Sequence, residues 1–153
     1  MRIVRGAVVD LPESCCFGGG RNRARLIGVS SQADEIRARV RRFAVRVLRF
    51  VKTLPRDPAI DTVVRQFARS GTGISSNYHA AGRARSRAEF IAKMGVVAEE
   101  ADETEHWLDV MREGKLASGP EFDWLTAESR ELRAIFVQPV KTARSRVNGS
   151  SHR

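Results

Sequence analysis

The chain has 153 residues, 42% of them hydrophobic, enough for one domain whose core needs neither a disulfide nor a metal. A single tyrosine, 5 prolines and partly clustered glycines argue against an all-β fold. The formal net charge of +9 points to a polyanionic partner such as nucleic acid or anionic lipid, with plain solubility as the competing reading.

Residues 1–30 carry a glycine run and no helical period. They read as a disordered leader, or as sequence ahead of a later start at Val29, since no methionine falls between Met1 and Met94. Cys15 and Cys16 are adjacent and have no C-x-x-C or Cys/His company, which fits a reducing compartment. No run approaches 18 apolar residues and no signal-peptide stretch is present, so a cytoplasmic location and no membrane partner are expected.

From Ser31 the pattern becomes helical. Ser31-x-x-Asp34 is a capping signal, and Ile36, Val40, Phe43, Ala44, Val47, Val51 and Leu54 form one apolar face up to Pro55. Asp57-Pro58 is an N-cap and first-turn pair for a second helix with Ile60, Val63, Val64, Phe67, Gly71, Ile74, Tyr78 and Ala81 on its face. Ser86-x-x-Glu89 is a capping box for a third, with Phe90, Met94, Val97, Ala98, Ala101, Leu108 and Met111, ending at Gly114. Gly119-Pro120-Glu121 opens a fourth, with Phe122, Leu125, Leu132, Ile135 and Phe136, which Pro139 ends or kinks. An all-α, antiparallel up-down four-helix bundle over residues 31–138 is expected, followed by a basic flexible tail at 139–153.

On a wheel of 100° per residue, Val96, Trp107 and Val110 lie opposite Met94 and Leu108 on the third helix. A second apolar stripe on a bundle helix predicts an oligomer contact.

Two stretches invite chemistry. Glu103-x-x-His106 has the spacing of a di-iron half-site, but His79 has serine three residues earlier and the first helix has no acid after Glu35. The run "RSGTGISSN" at 69–77 lacks the lysine and the strand of a P-loop, so its small residues read as close helix packing. The three histidines have no marked nucleophile partner, and neither an enzyme nor a cofactor is expected.

The residues at 65–111 resemble the bacterial four helix bundle protein family, first met as reading frames in intervening sequences of large-subunit ribosomal RNA genes. The resemblance rests on Arg65-Gln66, Arg69-Ser70, Asn77-Tyr78, Ser86 to Phe90 and Glu100 to Leu108. Gly73 stands where the family often has serine, and Ala80 where glutamate is usual. The resemblance implies a homopentamer. A relative, the accessory protein of diversity-generating retroelements, forms such a barrel, binds nucleic acid and engages a reverse transcriptase.

Charge is segregated: residues 37–56 hold eight Arg/Lys and no acid, and residues 99–113 hold seven acids. Arg42, Arg46 and Arg49 form a ridge suited to phosphate, or else the first-helix arginines pair with the third-helix acids, within or between subunits. In an up-down bundle Arg83, Arg85 and Arg87 share a pole with Lys141 and Arg144. Arg42, Arg46, Arg83, Arg85, Arg87, Lys141 and Arg144 are therefore the candidate nucleic-acid contacts, and Val96, Trp107 and Val110 the oligomer contact. Few aromatics are expected on the surface, so binding to RNA or DNA should be non-specific and backbone-directed. The alternative is an adaptor that binds a protein, such as a reverse transcriptase, without touching nucleic acid.

Overall fold

The computed structural model describes residues 31–149, with side chains to 137; the leader expected at 1–30 lies outside the described residues. The described residues form four helices: α1 (Gln32–Val51), α2 (Asp61–Ala81), α3 (Arg87–Glu113) and α4 (Pro120–Gly149). Among the described residues α2 packs on α1 and α3, and α4 packs on α3 and α1. Across the core α2 and α4 meet through the rings of Tyr78 and Phe136, 5.6 Å between centroids.

The caps follow the sequence signals with small departures. Ser31 accepts from Asp34 N at 3.3 Å and Ser86 from Glu89 N at 3.1 Å, satisfying donors at the starts of α1 and α3. Asp57 takes Ala59 N at 2.8 Å, but it caps a hydrogen-bonded turn that runs on into α2 at Asp61. α1 stops at Val51, before the expected Leu54, because the Thr53 hydroxyl and amide both return to Phe50 O. At Pro139, where the sequence leaves either an end or a kink, α4 continues and runs to Gly149. A proline inside a helix removes one i to i−4 hydrogen bond and favours a kink there.

Phe43, Phe67, Phe122 and Phe136, one from each of α1 and α2 and two from α4, are fully buried. Each contributes about 1.5–3 kcal/mol by leaving water. Phe50 joins three helices, its ring 6.4 Å from Phe67 edge-on and 5.9 Å from Phe122. The small residues of α2 allow close approach, as the sequence predicted. A methyl group at Gly71 would sit 3.0 Å from Val47 of α1, and one at Gly73 only 2.7 Å from the Glu100 carboxyl of α3.

The helix seams are keyed by charge. Arg39 of α1 holds Glu128 through Nε at 2.5 Å and Nη2 at 2.9 Å, and also binds Glu131. Arg46, seven residues on, holds Glu121, seven residues back. On its other side α4 offers cations: Arg133 meets Asp102 at 2.6 Å, and Arg130 meets Asp109 at 3.2 Å and Glu105 at 3.4 Å. The expectation that α1 arginines pair with α3 acids within the chain is corrected: those helices are diagonal, and α4 stands between the two sets. Surface pairs contribute about 0–1 kcal/mol each, so their larger effect is to fix register.

Candidate nucleic-acid interface

The turn between α2 and α3 is built by successive backbone bonds. Gly82 N donates to Tyr78 O, Arg83 N to Ala80 O and Ala84 N to Ala81 O, all within 3.2 Å. Ser86 then starts α3, while the Glu89 carboxylate reaches one residue beyond the usual capping box to accept from Arg85 N at 2.8 Å. That amide holds the Glu89 carboxyl below its ordinary range, with the charges of Lys93 and Arg85 adding to the effect. The backbone of the turn is thus fixed while its side chains are free to reach outward.

Arg83, Arg85 and Arg87 are all exposed, and none makes a salt bridge among the described residues. They surround the N-terminal end of α3, whose unpaired amides add partial positive charge. Arg37 of α1 approaches the same turn: its Nη2 lies 3.7 Å from where a Gly82 Cβ would stand. The Tyr78 hydroxyl beside it meets Ala33 O at 3.5 Å, which ties the start of α1 to the end of α2.

The other sequence-predicted contacts separate. Arg42 is exposed on the outer side of α1. Arg46 is clamped by Glu121, with its guanidinium 3.4 Å from the Trp124 ring centroid. Lys141 and Arg144 lie on α4, but their side chains fall outside those described. Val96 is exposed on α3; Val110 and Trp107 are half-buried, and Trp107 packs partly on its own core.

The Glu-x-x-His spacing resolves into packing. Glu103 accepts from Trp107 Nε1 at 3.2 Å and faces Arg69 of α2 at 3.3 Å, while His106 sets its ring against Trp107 at 5.0 Å. No group of three or more His, Cys, Asp or Glu side chains is gathered for a metal among the described residues. No described helix is long and apolar enough to cross a membrane.

The seams missed by sequence reasoning are those made by α4. Their signal was present: Arg39 and Arg46 are spaced by seven, as are Glu121 and Glu128.

These features define an all-α four-helix protein with charge-keyed seams and one basic turn. The chain belongs to the 23S rRNA-intervening sequence protein family, which it matches over residues 33–138. It is also similar to a crystal structure of a protein of unknown function from the S23 ribosomal protein family of Bacteroides thetaiotaomicron. The two are 29% identical with a TM-score of 0.63, over 69% of this chain and 98% of that one. No curated protein matches the sequence.

Proposed function

We propose that the protein is a non-enzymatic, oligomeric four-helix bundle that binds nucleic acid through phosphate contacts at the α2–α3 turn. The observation that carries this reading is the contrast between arginines. Arg39, Arg46, Arg130 and Arg133 are held by carboxylates on neighbouring helices, whereas Arg83, Arg85 and Arg87 stand exposed without a salt bridge among the described residues.

The finer architecture belongs to the same proposal. The mirrored pairs Arg39–Glu128 and Arg46–Glu121 support helices that alternate in direction, which brings Lys141 and Arg144 to the pole of the turn. A homopentamer would repeat that pole around one axis and multiply phosphate contacts. Contacts to phosphate alone give no sequence reading, so RNA and DNA are bound non-specifically.

A protein adaptor without nucleic-acid binding is the second reading. The α4 ladders favour it, because they show much of the charge organising the fold itself.

Fluorescence anisotropy on a labelled duplex, at rising salt, tests the proposal. Wild type should bind at low salt, with log affinity on DNA falling by about 0.9 per phosphate contact in log salt. Changing Arg83, Arg85 and Arg87 to alanine should weaken binding and flatten that slope. Unaltered binding by the triple variant would contradict the site, and no binding by wild type at low salt would favour the adaptor.

A further inference from the structure

α1 buries Ile36, Val40, Phe43, Val47 and Phe50, so its opposite side faces solvent. That side exposes Val45 at 42% and Leu48 at 47%, two of the three large hydrophobics most open to water among the described residues. Around them stand Arg41, Arg42, Arg49 and Lys52, all exposed and none in a salt bridge among the described residues. The third such hydrophobic, Val96 at 40%, lies on the outer side of α3. There it shares a stripe with Glu99, Glu103 and Val110 at three- and four-residue spacing. Glu103 is also held within the chain by Arg69 and Trp107, while Glu99 is exposed. One chain therefore carries two outward helix faces of matching kind: apolar with a cationic border, and apolar with an anionic one.

We propose that the outer face of α1 docks on the outer face of α3 of a second copy, so that subunits join head to tail. This rests on the oligomer in the proposed function and names the surfaces that build it. Each face repels its own kind, since two α1 faces would oppose four cations with four more, and two α3 faces would set Glu99 and Glu103 against their equivalents. The unlike pairing removes both conflicts and covers Val45, Leu48 and Val96 together. Because α1 and α3 are diagonal, a copy bound through α1 keeps its α3 face open for the next. A contact of that type closes into a ring where the rotation permits. Arg42 then belongs to the subunit contact, and phosphate is left to the α2–α3 turn.

The test is light scattering coupled to size exclusion on the full chain, with circular dichroism confirming that each variant keeps its helices. Arg42→Glu with Arg49→Glu should reduce the wild-type oligomer to monomers. Glu99→Arg with Glu103→Arg should do the same. All four changes in one chain exchange the two charges and should restore the wild-type mass. An oligomer that survives the α1 pair unchanged, or a fourfold variant that stays monomeric, would overturn the inference while leaving the proposed function standing. A monomeric wild type would overturn both, and duplex binding by the same samples would then show whether the α2–α3 turn acts alone.

Discussion

Arg46 of α1 and Glu121 of α4 are joined through both carboxylate oxygens, Nε to Oε1 at 2.7 Å and Nη2 to Oε2 at 2.5 Å, with the guanidinium carbon over the Trp124 ring, 3.4 Å from its centroid. A two-pronged bond fixes orientation as well as distance, and lysine, a point charge, reproduces neither the fork nor the stacking. The contact bridges the α1–α4 seam, where few backbone atoms approach and long side chains fill the gap.

Arg46→Lys should therefore cost about 1 kcal/mol in chemical denaturation, a sum of a partly exposed ion pair and a cation–π contact. Arg46 holds the Glu121 carboxyl below its ordinary range. Its contribution is present above the ordinary carboxylate pKa and is lost as pH falls toward the lowered one. Glu121→Gln should remove that share of the acid-side loss of stability. An unchanged acid limb in the variant would show that the pair adds nothing.

The two glycines of α2 should respond oppositely to alanine. At Gly71 the new methyl meets Val47, which is fully buried and cannot retreat. Overpacking of about 1–3 kcal/mol outweighs the helix-propensity gain of about 1 kcal/mol, so Gly71→Ala should destabilise. At Gly73 the methyl meets the end of the flexible Glu100 side chain, whose Oε2 is buried without a hydrogen-bond partner. The carboxyl can swing outward, and Gly73→Ala should stabilise by up to about 1 kcal/mol.

Glu100 also sets the pH dependence of that second effect. Burial holds its carboxyl above the ordinary value, against the pull of Arg69. The protonated form is favoured in the fold, so its stabilising share is present at acid pH and lost as pH rises through the raised pKa. Releasing the carboxyl should make the gain from Gly73→Ala larger at neutral than at acid pH. Denaturation at the two pH values checks the sign; a gain that shrinks toward neutrality would contradict it.

Lys115 is the one described non-glycine residue with a left-handed backbone, at φ 54°. It occupies the position after the α3 C-cap, where Lys115 N returns to Arg112 O and Leu116 N to Met111 O, the paired bonds of a Schellman end. Lys115→Gly should relieve about 1 kcal/mol of backbone strain. A variant no more stable than wild type in thermal unfolding would show that the turn tolerates lysine at no cost.

That helix end also shows where sequence reasoning reaches and stops. Gly114 marks the end of α3 correctly, yet the left-handed turn falls on its neighbour, because Gly114 itself stays right-handed at φ −72°. The four helices were legible because Ile36, Val40, Phe43 and Val47, and their counterparts, recur at the helical period next to recognisable caps. The seams were not, because opposite charges on two helices match by sign whichever helices are neighbours. Only the mirrored spacing of Arg39 and Arg46 against Glu121 and Glu128 names the partner. Likewise Pro139 is a stop signal by local rule, and α4 passes through it. At the basic turn, Arg83, Arg85 and Arg87 were legible because no acid lies between Asp61 and Glu89. The clamp on Arg46 was not legible because Trp124 and Glu121 lie on a distant helix.

The most direct measurement of the central claim is light scattering coupled to size exclusion of the chain with and without a short duplex, at low and high salt. The account predicts a defined oligomer, with mass consistent with five copies, that takes up the duplex at low salt and releases it at high salt. An oligomer that ignores the duplex even at low salt, or a chain that elutes as a monomer, would contradict it.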